Sequence, residues 1–186
     1  MPQVQVFNQV SLDGYFVDAQ GDMGWAHATD PEWTTFSSEN ARGGGRLLFG
    51  RATYELMASF WPTPAAHAQL PVVADHMNAL PKFVVSRTLT AASWHNTTLL
   101  TGDLATEVTR LKRAPGPDLV VMGSGSLVAQ LTQAGLIDTY QLVVVPIVLG
   151  AGRSLFAGVT ERPRLRCTAT RTFANGNVLL SYEPVA

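Results

Sequence analysis

Apolar and polar residues alternate from Val4 to Val10 in VQVFNQV, and the alternation breaks at Asp13-Gly14, which reads as a strand entering a turn. Asp30 precedes Pro31, the pattern of an N-cap followed by proline at the first helical position, so a helix is expected to start there. A glycine break leads into a short buried strand at Arg46–Phe49, then a helix opened by Gly50 and Arg51. Lys82–Val85 repeats the design, an apolar strand followed by a polar turn. NTTLL is a further short strand. Asp103 then caps an amphipathic helix with Leu104, Val108 and Leu111 on one face, ended by Gly116 and Pro117. Asp118–Met122 is the next strand and Ser124–Gln133 the helix after it. IDTYQLVVVPIVLGAG is a long apolar strand ending in a glycine turn, and its LVVVPIVL portion fits either a buried central strand or a face turned to a partner. Two alternating runs flank Asn175-Gly176, a dipeptide that favours a tight hairpin. PTPAAHAQLP, between Pro62 and Pro71, reads as a loop or lid.

Strands alternating with helices, closed by a hairpin, predict an α/β fold whose sheet is mostly parallel with antiparallel edges. No repeat or linker divides the chain, so residues 1–186 are expected to form one domain. The hydrophobic share of 46% supports a sizeable core, and a net charge of −1 argues against a general nucleic-acid or anionic-membrane surface. No run reaches the roughly 18 apolar residues of a spanning helix. The start carries no signal-peptide pattern, and Cys167 stands alone without an intrachain disulfide partner, so a cytoplasmic protein is expected. His27, His67, His76 and His95 show no metal-ligand spacing, and neither a zinc deaminase signature nor a G-x-S-x-G motif is present. Trp25, Trp33, Trp61 and Trp94 read as core or pocket wall.

Three strand-to-helix or strand-to-loop turns carry candidate chemistry. Gly123, Ser124, Gly125 and Ser126 let the backbone turn sharply with its N–H groups free to face an anion, although Val128 stands where a dinucleotide fingerprint would place a third glycine. Gly50, Arg51 and Thr53 form a second such turn, and Ser86, Arg87 and Thr88 a third. Ligands of open α/β sheets collect beyond the carboxyl ends of the strands, so the three turns are able to converge on one polyphosphate. The competing reading of each arginine is a solvated surface charge.

VSLDG, LLFGRATYE, FVVSRT, LVVMGSGSLVAQL and VVVPIVLGAG occur in the order found in dihydrofolate-reductase-like proteins. The chain most resembles the reductase domain of bifunctional riboflavin-biosynthesis deaminase–reductases, and the resemblance covers nearly its whole length. It implies a three-layer fold with helices on both faces of the sheet, NADPH as cofactor and hydride transfer to a small heterocycle, a riboflavin-pathway pyrimidine or a pteridine. It assigns Arg51, Ser86 and Arg87, with the neighbouring Thr88, to the 2′-phosphate end of the cofactor. Gly50 and Thr53 go near the pyrophosphate, and Gly123 to Ser126 along the pyrophosphate and nicotinamide ribose. A homodimer is expected from the same resemblance.

On the substrate side the resemblance points to Asp13, Trp25, Val148 and Gly150 around the nicotinamide site. Asp30 stands at the spacing from Trp25 at which dihydrofolate reductases carry their pterin-binding carboxylate, which makes it the candidate catalytic residue; it is equally a good N-cap. Asp13 also suits a turn-shaping role. Arg42, Arg46, Arg153 and Arg162 are candidate anchors for a ribose phosphate. Two other readings keep the fold without the reaction: a non-catalytic nucleotide-binding or sensing module, and a structural dimer whose turns are relics.

Overall fold

The computed structural model describes residues 1–27 and 30–185. In chain order its elements are β1 Val4–Ser11, β2 Tyr15–Val17, α1 Pro31–Arg42, β3 Arg46–Gly50, α2 Arg51–Phe60, α3 Pro64–Gln69, α4 Pro71–Ala79, β4 Lys82–Val85, β5 Thr97–Leu100, α5 Leu104–Arg113, β6 Leu119–Val121, α6 Gly125–Gln133, β7 Thr139–Val145, β8 Arg153–Ser154, β9 Leu165–Thr172 and β10 Val178–Pro184. Eight strands form one sheet in the order β5-β4-β3-β6-β1-β7-β10-β9, and β2 pairs with β8 in a small separate ribbon. From β5 across to β7 every pairing is parallel, whereas β10 runs antiparallel to both β7 and β9. The expected mostly parallel sheet with an antiparallel C-terminal hairpin is therefore present.

Period-two alternation assigns the two faces. Val4, Val6 and Val10 of β1 and Leu48 of β3 point toward α5 and α6, where they meet Val108, Leu111, Leu127 and Leu131. Leu47 and Phe49 point the other way, against Tyr54 of α2 and Val73 and Met77 of α4. Phe7, Val143 and Leu179 lie under Trp33 and Phe36 of α1 on that same side. Helices thus cover both faces. β1 sits between β6 and β7, where the winding direction reverses, and the carboxyl-end loops at such a junction are where open α/β sheets bind their ligands.

Two local features differ from the sequence expectation. The stretch 62–71 is not a loop or lid: Thr63 accepts a hydrogen bond from the Ala66 N–H at 3.2 Å, Pro64 takes the first helical position, and α3 runs to Gln69 before α4 begins at Pro71. The long apolar strand also stops at Val145, because Pro146 has no N–H to continue the ladder. Lys82, which opens β4, is fully buried. Its ammonium donates to the carbonyl oxygens of Met77, Asn78 and Leu80 at 2.8, 3.0 and 2.7 Å and lies 4.6 Å from the centre of the Trp94 ring, tying β4 to the end of α4.

Candidate functional site

Strands β3, β4 and β6 are adjacent and parallel, so they deliver the three predicted turns side by side to one lip of the sheet. The Gly50 N–H donates to the Gly123 carbonyl at 2.9 Å, and a Cβ on Gly50 would stand 2.5 Å from Ser124 Oγ and 3.2 Å from Ser124 N, so the two turns approach only because residue 50 is glycine. Gly123 has a φ of +109° and is joined to Ser124 by a cis peptide bond; Thr53 Oγ1 lies 3.1 Å from where its Cβ would be. Arg51 Nη1 donates to Thr88 Oγ1 at 3.0 Å, which links the second turn to the third. Ser86 is buried, and its hydroxyl accepts from the Thr88 and Leu89 N–H groups at 3.2 and 2.9 Å, holding that turn closed. Arg87 is exposed. The Thr106 N–H and hydroxyl, and after them the Arg87 charge, hold the Asp103 carboxyl below its ordinary range, so Arg87 and the start of α5 share one field.

Helix capping separates this lip from the rest of the molecule. Asp30, Thr63 and Asp103 cap α1, α3 and α5 with side-chain oxygens. At α2 and α6 no side chain does so: Gly50 has none to offer, and the Ser124 hydroxyl lies 3.0 Å from the Ser126 hydroxyl instead. (α4, which follows directly on α3, is also uncapped by a side chain.) Two helix N-termini without a side-chain cap, two arginines and the hydroxyls of Thr53, Thr88 and Ser126 are therefore carried by neighbouring turns at the carboxyl ends of β3, β4 and β6, a donor set suited to a polyphosphate. Beside it, α5 and α6 enclose a recess of about 410 Å³ lined by Asp103, Leu104, Ser126, Ala129 and Gln130 among others.

Of the other predicted residues, Asp13, Val148 and Gly150 gather at the ends of β1 and β7, and Trp25 and Asp30 lie in the segment leading into α1. Asp13 does not present a free carboxylate. Its Oδ1 accepts from the Ser11 hydroxyl at 2.6 Å and from Leu149 N–H at 3.1 Å, and its Oδ2 from Gly150 N–H at 2.7 Å. The Ser11 hydroxyl foremost, then the two N–H groups, hold its pKa down to about 2. Asp13 is thus a brace between the turn after β1 and the turn after β7. Gly150 adopts a φ of +72° in the second of these turns, and Val148 beside it is 66% exposed. Leu12, 67% exposed, donates its N–H to Ile147 at 2.8 Å, so two exposed apolar side chains stand together at this mouth. Trp25 is half-buried in a short 3-10 turn, Gly24–Ala26, with its ring N–H bonded to the Asp22 carbonyl at 3.1 Å. Asp30 Oδ1 caps α1 through the Glu32 and Trp33 N–H groups at 2.9 and 3.0 Å, while its Oδ2 is buried with no partner among the described residues. Ala28 and Thr29, inside the Trp25–Asp30 spacing, lie outside the described residues.

The RibD C-terminal domain model matches residues 2–179. The chain belongs to the RibD C-terminal domain family. It is 29% identical over 176 residues to the uncharacterized protein YyaP of Bacillus subtilis, covering 94% of this chain and 90% of that one. Its fold is similar to that of the Thermotoga maritima diaminohydroxyphosphoribosylaminopyrimidine deaminase/5-amino-6-(5-phosphoribosylamino)uracil reductase, with a TM-score of 0.69, 15% identity, and coverage of 99% of this chain and 57% of that one. Dihydrofolate reductase from Enterococcus faecalis, solved with NADP(H), superposes with a TM-score of 0.65 and 13% identity over 99% of this chain and 97% of that one. The dihydrofolate-reductase-like three-layer fold is therefore the fold of this RibD C-terminal domain.

Within that fold, two of the arginines considered as phosphate anchors lie at the wrong end of the sheet. Arg46 is buried at the start of β3, where it donates to the Pro117 and Leu111 carbonyls at 2.9 and 3.2 Å and supports the end of α5. Arg42 is in the last turn of α1, next to the same edge. Arg153 stays with the mouth, in β8 and 5.7 Å from the centre of the Phe16 ring; Arg162 is exposed in the loop before β9. Among the described residues no helix is long and apolar enough to cross a membrane, and no group of three His, Cys, Asp or Glu is placed to hold a metal ion.

Two residues of the site escaped the sequence reading. Asn8 is 5% exposed, donates to the Met122 carbonyl at 3.3 Å and sits under the Gly123 turn, its Oδ1 without a partner among the described residues. A polar residue in the inward register of Val4, Val6 and Val10 was the available signal. Phe16 packs against Gly125 so closely that any Cβ there would overlap its ring; only the fold reveals that contact.

Proposed function

We propose that this RibD C-terminal domain is an NADPH-dependent reductase of a small heterocycle, pyrimidine or pteridine in type, acting in the cytoplasm. The observation that carries the reading is the shared lip of two uncapped helix starts, Arg51 and Arg87. These residues fit a phosphorylated dinucleotide: the glycine-only approach of Gly50 to Ser124 clears its backbone path, and the protein partners of Arg51, Glu55 at 3.6 Å and the Thr88 hydroxyl at 3.0 Å, are exposed and able to yield to a phosphate. Arg51, Arg87, Ser86 and Thr88 would hold the 2′-phosphate, and Thr53 with Gly123 to Ser126 the pyrophosphate. The recess between α5 and α6 suits the adenosine end. When bound, the cofactor supplies the hydride.

The substrate face is the mouth formed by Trp25, Asp30, Val148 and Gly150, with Asp13 keeping the two turns in register and Leu12 adding apolar surface. Asp30 Oδ2 is the acceptor left over for a ring N–H or amino group, and it is the proton-handling group of this reading. A substrate with a phosphate would meet Arg153. Titration with NADPH and NADH tests the proposal. Arg51→Ala and Arg87→Ala should each weaken NADPH about 10- to 100-fold, as expected for a charge-assisted contact to a dianion, and leave NADH nearly unchanged. Equal small losses for both nucleotides would overturn the assignment.

One observation favours a second reading. Both carboxylates of the mouth are engaged with the backbone, Asp13 fully and Asp30 through Oδ1, which also fits a nucleotide-binding module without turnover. Tight NADPH binding with no oxidation across a panel of pteridines and pyrimidines would select it.

A further inference from the structure

Strand β1 is held by its two neighbours over different lengths. Its parallel pairing with β6 runs from Val4–Leu119 to Val6–Val121 and stops, whereas its pairing with β7 continues to Ser11–Val145. Beyond Val121 the chain leaves β1 for β3: the Met122 N–H donates to the Leu48 carbonyl at 3.2 Å, and the Gly123 carbonyl accepts from the Gly50 N–H at 2.9 Å. The sheet therefore forks past Val6, at the strand where its winding reverses, and Asn8 stands in the fork.

Asn8 falls in register with Val4, Val6 and Val10, the row of β1 that packs under α5 and α6. In such a buried row of a parallel sheet the fold itself calls for another valine. The Asn8 Nδ2 donates across the fork to the Met122 carbonyl at 3.3 Å, and since a carbonyl only accepts, the amide oxygen faces away from it. That Oδ1 is buried and has no partner among the described residues. A buried amide oxygen without a donor costs folding free energy, so the strut to Met122 does not account for asparagine here. Nδ2 also lies 3.5 Å from where a Gly123 Cβ would be, with Thr53 Oγ1 at 3.1 Å from the same point, so the amide borders the turn read above as pyrophosphate-binding.

Building on the proposed NADPH site, we infer that Asn8 is its nicotinamide-positioning residue, with Oδ1 accepting a hydrogen bond from the carboxamide amino group. The order of the strands carries the inference. On that reading the 2′-phosphate end lies at the turns after β4 and β3 and the pyrophosphate at the turn after β6. The sheet order β4-β3-β6-β1-β7 then brings the other end of the dinucleotide to β1, just ahead of the substrate mouth at the ends of β1 and β7. The fork is thus where the nicotinamide arrives. The carboxamide is that ring's one hydrogen-bond donor, and a neutral acceptor receives it without setting a carboxylate beside the pyrophosphate. Because Oδ1 is buried, the contact requires the Gly123 turn to move outward as the ring seats. Anchoring the carboxamide fixes the rotation of the ring, and hence the face it turns to the mouth.

Calorimetric titration with three ligands tests this, with thermal unfolding alongside: NADP+, its acetylpyridine analogue, in which a methyl ketone replaces the carboxamide, and adenosine 2′,5′-bisphosphate, which lacks the nicotinamide half. Asn8→Val should weaken NADP+ about 10-fold, the contribution of one buried hydrogen bond, and leave the other two ligands within about 2-fold of the wild type. Its Tm should fall no more than about 2 °C below the wild type, since an apolar side chain of similar size removes the orphaned oxygen. Asn8→Thr, which keeps a hydroxyl donor for Met122 and lacks the second acceptor, should give the same affinity pattern and serves where Asn8→Val fails to fold. A purely structural strut would instead lower Tm by several degrees and weaken all three ligands alike, which overturns the inference. So does a loss in Asn8→Val as large for the analogue as for NADP+, or a wild type that binds those two equally. An unaltered NADP+ affinity in both variants overturns this inference alone, whereas a wild type that binds none of the three ligands overturns the NADPH reading and this inference with it.

Discussion

Replacing Lys82 with Met keeps most of the buried stem and removes one ammonium with its three hydrogen bonds. Hydrogen bonds to a charged donor contribute about 1.5–3 kcal/mol each, and withdrawing an ammonium from water costs several kcal/mol, so the two largely offset. What survives is the cost of leaving the Met77, Asn78 and Leu80 carbonyls without a donor at about 1–3 kcal/mol for each that stays dry, together with the contact to Trp94. Because the end of α4 can relax toward water, a net loss of about 3 kcal/mol is expected, which in a chain of this length lowers Tm by roughly 6–12 °C. Urea and thermal unfolding followed by circular dichroism measure it directly. A loss below about 1 kcal/mol would show that the carbonyls find other donors and that the lysine is not what joins α4 to β4.

The pH dependence of the same pair separates burial from hydrogen bonding. Burial pushes the Lys82 pKa from 10.5 down to about 8. Between those values the unfolded chain keeps the proton that the folded chain has released, so folding stability rises with pH across that window. Lys82→Met has no such group, and other titrations cancel in the difference. The margin of wild type over variant should therefore widen from pH 8 to about 10.5. A margin that narrows would mean that the three carbonyls hold the ammonium more strongly than burial opposes it.

Gly125→Ala sets a Cβ against the Phe16 ring and should cost about 1–3 kcal/mol by overpacking, a penalty that Phe16→Leu should largely relieve in the double variant. Asp13→Asn should cost stability at neutral pH, and because the native carboxyl is held at about 2, the advantage of wild type should vanish as pH falls from about 4 toward 2; an advantage that persists at pH 2 would contradict the brace. Asp30→Ala should lose about 1 kcal/mol of α1 capping. Asp30→Ser retains a capping oxygen, so it should melt within about 0.5 kcal/mol of wild type; if Asp30 also meets substrate, that variant still loses turnover.

What could be read along the chain was local chemistry. Asp30-Pro31, Asp103 and Asn175-Gly176 each determine their own turn within a few residues, and each appears where the pattern put it. The three turns bearing Gly50, Ser86 and Gly123 were legible as turns for the same reason. Their meeting was not, because the Gly50–Gly123 and Arg51–Thr88 bonds join separate strand-to-helix units. Thr63-Pro64 carries the same start signal as Asp30-Pro31 and was obscured only by the alanine- and proline-rich stretch after it.

Position along the sheet is harder still, since it depends on pairing partners that no local pattern names. Arg46 opens β3 and Arg51, five residues on, opens the helix that follows it, yet the first supports the end of α5 and the second belongs to the candidate phosphate site. Asp13 reaches Gly150, 137 residues on, because β1 and β7 run parallel and finish together. A single bulge beside Tyr182 decides which side of β9 Cys167 occupies. Alternation predicts that a strand has two faces; register decides which of them meets water, and that depends on partners far away in the chain.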